Sequence, residues 1–345
     1  MAASALATLA VAVIVVALWG LWSMSSPGPP ARHGAATTVI LRHGATLPEI
    51  ASNLEDSGVV RSASIFMAAA QATGAARALK AGEYAFPSRA SLGQVLTMIR
   101  QGRIVHHAIT IPEGLTSAEA VDILNASDVL TGPAVVPPEG SLLPETYEVQ
   151  RGDTRAGVLR RMMAARDRLI AELWPRRRAD LPFKTPEEAV TLASVVEKET
   201  GVAAERPRVA AVFVNRLVKG MRLESDPTVI YAVSQGRPLG RGLRQSELLD
   251  PSPYNTYMNA GLPPTPICNP GRASIAAVLD PPRTDELYFV ANGTGGHSFA
   301  ATLEEHVRNV QRWRQIEQAQ RAPALAGAAP AAGTVPLRGE ATHAR

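Results

Sequence analysis

Two carboxylates, Glu197 and Glu199, close the apolar run Thr191-Leu192-Ala193-Ser194-Val195-Val196. A carboxyl group can give a proton to, or take one from, a reacting oxygen when its pKa lies near the working pH. The spacing predicts a helix with Thr185 as N-cap, Pro186 at the first helical position and Glu188 three residues after the cap, the pattern of a capping box. At about 100° per residue, Ala189, Leu192, Val195, Val196 and Glu199 share one half of this helix, and Glu197 falls on the other with Val190, Ala193 and Ser194. A carboxylate among Leu and Val side chains loses hydration, which raises its pKa and keeps it protonated near neutral pH. Of the two, Glu199 is therefore placed as a general acid would be, and Glu197 is expected to meet water or a polar partner. The plainer alternative makes both surface residues at a helix end.

The elements around this helix are read from periodicity. Ala2 to Met24 carries no charged side chain and is long enough to cross a bilayer, with a cleavable signal peptide as the alternative; Pro27, Pro29 and Pro30 mark residues 25–36 as an exposed linker. Residues 37–42 and 81–86 are predicted strands flanking helices at 47–56 and 62–72, and 91–101 a helix with Ser91 as N-cap. A strand at 104–111 would turn the adjacent His106 and His107 to opposite faces, so they would not share a metal. A capping box at Thr116 and Glu119 opens another helix, and 153–173 is a long one whose arginines spread around it as a solvated face. Val209, Val212, Phe213 and Leu217 repeat as a core stripe. Asp226-Pro227 reads either as a functional acid or as an N-cap followed by proline at the first position. Residues 252–271 have no period and are a predicted loop; 287–291 and 298–300 form a predicted hairpin with His297 at its return. Thr302 and Glu305 open a last helix to about 320, before an Ala/Pro/Gly-rich tail, 321–345, expected to be disordered.

Charge and cysteine usage bound the function. With 35 basic and 31 acidic residues the surplus suits an anionic partner without forming a concentrated stripe, and no nucleic-acid motif is present. The single Cys268 excludes an intramolecular disulfide and reads as a small side chain in a proline-rich loop.

Leu192 to Thr200, with Ala204-Glu205-Arg206 shortly after, resembles the signature of the endolytic murein transglycosylases, membrane-anchored enzymes that cut nascent peptidoglycan strands. Three family-like blocks follow in order: Gly220 to Thr228; Tyr254-Asn255-Thr256-Tyr257 with Gly261 to Pro264; and Tyr288-Phe289-Val290 with Gly295-Gly296-His297. The resemblance covers roughly residues 37–320. In lytic transglycosylases the acid is a Glu followed by a small hydroxyl residue, which matches Glu199-Thr200.

The resemblance implies an α+β chain with these divisions: a transmembrane anchor at 1–24, a linker at 25–36, a small LysM-like βααβ module at 37–108, a mixed α+β catalytic domain at 109–320 and the tail. A structural spacer is the alternative for the module. The implied reaction cleaves the MurNAc to GlcNAc β-1,4 bond inside glycan strands, needs no metal or cofactor, and leaves 1,6-anhydro ends. Glu199 would be catalytic, with Glu145, Asp226, Tyr254, Asn255, Tyr257 and His297 binding sugar. The implied partners are glycan strands, the plasma membrane and peptidoglycan synthases, with the bulk of the chain outside the cytoplasm. A hydrolase would need a second carboxylate, for which Glu145, Glu197, Glu205 and Asp226 are the candidates. The alternative of another class is a non-enzymatic wall-binding scaffold.

Overall fold

The computed structural model describes residues 2–326. Its contacts form two compact units. The first takes the chain up to 112 with 118–136 and 145–162, and the second takes 113–117, 137–144 and the described residues from 163 onward.

The first unit opens with helix α1 (Ala2–Ser25), of which Thr8–Ser25 is apolar and long enough to cross a bilayer. The chain after it is not a free tether. Gly28 N–H donates to Arg89 O at 3.1 Å, Arg89 N–H to Pro29 O at 3.0 Å, and Ala31 N–H to Ser88 Oγ at 3.0 Å. Gly28 approaches so closely that a Cβ there would lie 2.2 Å from Ala90 O, which only glycine permits.

Strand β1 (Ala36–Leu41), helices α2 (Leu47–Asp56) and α3 (Ala63–Ala72) and strand β2 (Gly82–Pro87) follow in the expected order, and β1 pairs antiparallel with β2. Thr46 and Glu49 form a capping box on α2, and Ser62 caps α3. Alternation along the strands turns Val39, Leu41, Tyr84 and Phe86 inward onto Leu54, Phe66 and the Val95, Leu96 and Ile99 of helix α4 (Leu92–Gln101). Ser91 caps α4 and Gly102 ends it in the left-handed region, as its spacing predicts.

Strand β3 (His107–Thr110) is shorter than expected; helix α5 (Ser117–Ala126) follows it, and β3 pairs with β4 (Thr146–Val149). The two histidines diverge: His107 Nε2 lies 2.7 Å from Glu83, which also accepts from Arg151 at 3.0 Å, and exposed His106 sits near Glu148. Helix α6 (Arg155–Leu173) corrects the solvated-arginine expectation. Arg160 and Arg168 are exposed, but Arg155 ties down the carbonyls of Leu124, Ser127 and Gly132, and Arg166 that of Gly140, because a guanidinium has enough donors to close several loops at once.

The second unit is built round helix α7 (Pro186–Glu199), capped by Thr185 and Glu188 as the spacing predicts. All eight residues from Ala189 to Val196 are buried, and α7 packs on α8 (Arg206–Val218), α9 (Asp226–Ser234) and α11 (Arg272–Leu279). Its two polar members are satisfied: Thr191 Oγ1 donates to Glu187 O, and Ser194 Oγ donates to Thr191 O and accepts from Ile267 N–H at 2.9 Å. Buried Cys268 donates its thiol to Ser194 O, so it is part of the packing. Residues 249–271, after the single turn α10 (Gln245–Leu248), form the expected loop.

The hairpin of β5 (Tyr288–Ala291) and β6 (His297–Ala300) places His297 inside the strand, opposite Ala291, rather than at the return. Helix α12 (Leu303–Ala326) passes the predicted end at 320; the rest of the expected disordered tail, 327–345, lies outside the described residues.

Tyr84 is fully buried with its hydroxyl 2.8 Å from Lys80 O and 3.3 Å from Ile99 O. Tyr84→Phe takes the hydroxyl donor from Lys80 O, while Ile99 O keeps the N–H groups of Lys80 and Gly102, and is expected to destabilise the first unit by about 1 kcal/mol. Faster hydrogen exchange of the α4 amides would register the loss, and unchanged exchange would show that the hydroxyl contributes nothing.

Candidate active site

Helix α7 delivers both carboxylates of its last turn into protein, and their surroundings differ. Glu197 is the better paired: its side chain is 5% exposed, Oε1 lies 3.5 Å from Arg206 Nη2, and Oε2 accepts from Gly271 N–H at 2.9 Å, at the start of α11. It therefore meets polar partners, as expected, and joins three helices. Glu113 completes this group, 3.9 Å from Arg206, and its carboxyl is raised above the ordinary range by burial and by the neighbouring charge of Glu197, with Arg206 opposing.

Glu199 has no cationic hydrogen-bond partner. Among the described residues its hydrogen bond comes from Ser225 Oγ, which donates to Oε2 at 2.7 Å. Burial pushes its pKa up to about 7; Ser225 opposes the shift, Asp226 adds to it, and the more distant charges of His297 and Arg216 oppose it. A carboxyl in this state is protonated in half the molecules near neutrality and can act as acid and then as base.

The loop before α9 is held in a conformation that most residues avoid. Glu224 has φ of +52°. Buried Arg216 fixes the segment from α8, donating to Arg222 O at 3.1 Å, Leu223 O at 2.9 Å and Glu224 Oε2 at 3.1 Å, while its Nε reaches Leu287 O at 2.7 Å. Thr256 fixes it from the other side, its carbonyl accepting from Glu224 N–H and its Oγ1 from Ser225 N–H. This bracing sets Ser225 on Glu199.

The N-cap of α9 is Ser225, whose side chain makes no capping bond, and Asp226 occupies the first helical turn. Its Oδ1 instead accepts from Tyr257 Oη at 2.7 Å. Burial, that bond and the nearby acids raise the Tyr257 phenol, so it remains a donor. Asp226 and Tyr257 thus stand with Glu199 in one cluster.

His297 joins them on a clamp. Glu205, just before α8, accepts both the His297 backbone N–H, at 2.9 Å, and contact from Nδ1, at 2.8 Å. Burial alone would raise Glu205, but these two bonds, with the charges of His297 and Arg208, hold it below the ordinary range. A Cβ at Gly296 would fall 2.4 Å from Glu205 Oε1, so the clamp needs glycine there. The imidazole sits edge-on to Phe289 at 5.3 Å.

The other expected sugar-binding residues make different contacts. Asn255 is fully buried, its amide donating to Leu248 O and Asp250 O and accepting from Tyr257 N–H, so it folds the loop and has nothing left to offer a ligand. Tyr254 packs on Tyr231, with ring centroids 4.9 Å apart, and its hydroxyl meets Thr265 Oγ1. Exposed Glu145 belongs to the first unit and Glu199 to the second.

Ser225, Arg216 and the clamping role of Glu205 are the parts that sequence reasoning missed. An arginine within the apolar stripe of α8 was the available signal for Arg216; Ser225 had none beyond its place beside Asp226.

The profile of the YceG-like family matches residues 39–312. The chain is 38% identical over 177 residues to the endolytic murein transglycosylase of Bacillus subtilis, covering 51% of this chain and 48% of that protein. It is 30% identical over 322 residues to the endolytic murein transglycosylase of Streptococcus pneumoniae D39, covering 79% of this chain and 57% of that protein. The chain therefore spans about half the length of the curated relatives it matches. A crystal structure of a YceG-like protein from Listeria monocytogenes is 32% identical, with a TM-score of 0.48, over 80% of this chain and 99% of that one. With the family profile spanning most of its length, the chain belongs to the YceG-like family.

Proposed function

We propose that this protein is an endolytic peptidoglycan lytic transglycosylase held in the plasma membrane by α1, with Glu199 as its acid and base. The observation that carries the reading is the Glu199 carboxyl, buried at the end of α7 with a pKa of about 7 and no cationic partner bonded to it. The names of the curated relatives point the same way. Residues 109–320 are taken as catalytic and 37–108 as a LysM-like glycan-binding module, a reading supported by its βααβ order.

In this mechanism protonated Glu199 gives its proton to the glycosidic oxygen as the bond from that oxygen to the MurNAc C1 breaks. The MurNAc C6 hydroxyl oxygen then closes on C1, and its proton passes to the Glu199 carboxylate. The products are a new GlcNAc 4-hydroxyl end and a 1,6-anhydroMurNAc end, with no water added and the enzyme returned to its starting state. Ser225 holds the carboxyl in place, and its hydrogen bond favours the charged form reached midway. Asp226, Tyr257 and His297 border the reacting carboxyl and are the groups offered to sugar hydroxyls. Synthases that make the strands are the expected partners, and co-purification from membranes tests them.

Uncrosslinked glycan strands incubated with the chain are expected to yield anhydro ends, identified by mass spectrometry. Glu199→Gln should abolish them, by about three orders of magnitude or more. Glu197→Gln should keep the chemistry while losing stability, since it weakens the pairing with Arg206. Reducing ends would mean hydrolysis, loss of cleavage only in Glu197→Gln would move the acid to the other face, and a folded, glycan-binding protein that cuts nothing would be a scaffold.

Activity should fall as pH rises through about 7, where Glu199 loses its proton. Ser225→Ala removes the bond that favours the charged carboxylate, so this alkaline limb should move to higher pH; a limb that stays put would exclude Glu199 as its origin. Stability follows the same group. A carboxyl whose pKa rises from 4.5 to about 7 on folding favours the folded state fully below 4.5, and that contribution disappears as pH rises through 7. Glu199→Gln should therefore unfold at higher temperature than the parent at pH 8, with the gap closing towards pH 4.

A further inference from the structure

Where the apolar span of α1 ends, the first unit contains a cavity of about 420 Å³. One wall is Trp19 and Trp22 of α1; the other is Val59, Val60, Ile65 and Leu92 of the βααβ module and α4. Trp22 is 66% exposed, an unusual state for so large an apolar side chain in water, yet the usual one for tryptophan at the edge of a bilayer. The two walls are locked together. Met24 packs into the module core, a Cβ at Gly93 would lie 3.1 Å from Met24 O, and Gly28 is bonded to Arg89. The hydroxyls of Ser23 and Ser62 in the lining are satisfied internally, the first by Gly20 O and the second as the cap of α3, so the cavity presents mainly hydrocarbon.

The charged side chain in its lining is Arg61, whose Nη2 donates to Pro27 O at 3.2 Å; the nearby Glu55 carboxylate is engaged by Ala63 N–H at 3.2 Å. An apolar slot that continues the face of a bilayer-length helix, with a guanidinium at its mouth, matches a lipid with an anionic phosphate above its acyl chain.

We infer that the cavity between Trp19, Trp22 and the Val59–Ile65 wall holds one acyl chain of an anionic phospholipid, whose phosphate rests on Arg61, so that the module lies on the lipid surface. This rests on α1 spanning the membrane. A peptide occupant is not favoured, because one wall of the cavity belongs to the span itself and lipid is the apolar species that surrounds it.

The test uses the full chain in vesicles of phosphatidylcholine with phosphatidylglycerol, seeded with a phosphatidylglycerol that bears a photoactivatable diazirine in its acyl chain. After illumination, digestion with a protease that does not cut at arginine and mass spectrometry locate the adducts. Adducts are expected on α1 and on the peptide from Val59 to Ile65. Arg61→Gln, a surface change, should lower the module adducts about fivefold, the worth of one basic residue at an anionic surface, and leave those on α1 unchanged. Adducts confined to α1 would empty the cavity of lipid while leaving the anchor intact. A module yield indifferent to Arg61 would remove the phosphate contact. No adducts anywhere, with release of the protein by alkaline carbonate, would overturn the anchor and the lipid site together.

Discussion

Eight consecutive buried residues confine the charge of helix α7 to its first and last turns, and the rest of the second unit follows from how the last turn is treated. Glu197 finds Arg206 and a backbone donor. Glu199, two residues on, is left with one neutral hydroxyl and a protein environment that disfavours its ionised form. Such a group persists because α8, α9 and α11 are packed against the same helix, so the fold cannot relax around it without exposing the core.

Three carboxylates within nine positions take three different tasks. Glu197 is structural, Glu199 carries the raised pKa, and Glu205 is held in its charged state as the acceptor that orients His297. Residue type decides none of this; the number of donors facing each carboxyl does. The strained Glu224 belongs to the same design, because the turn it allows is what brings a serine, and not a charged cap, to Glu199.

The α7 helix, its cap and the different surroundings of Glu197 and Glu199 were legible because helical period and capping chemistry are local, and a run of eight buried residues leaves a strong apolar signature. The βααβ order and the cap at Ser91 were legible for the same reason. What escaped depends on contacts remote in sequence. Asn255 looked like a ligand amide because its amide is polar, yet it closes its own loop, and Asp226 looked like a cap because the serine before it takes that place only when Thr256 arrives from the other side of α9. The arginines of α6 looked solvated because their carbonyl partners, at the end of α5 and on loops remote in sequence, leave no pattern in the chain.

The paired backbone from Gly28 to Ala31 leaves almost no slack between the end of the apolar helix and the module. A flexible linker would let a module explore a volume that grows with the length of the chain, and its effective concentration near the surface would fall accordingly. Here the stand-off is set by hydrogen bonds instead of polymer statistics. Lengthening the segment by a few residues would therefore change the module from a fixed fitting into a float, without altering a single residue of its core.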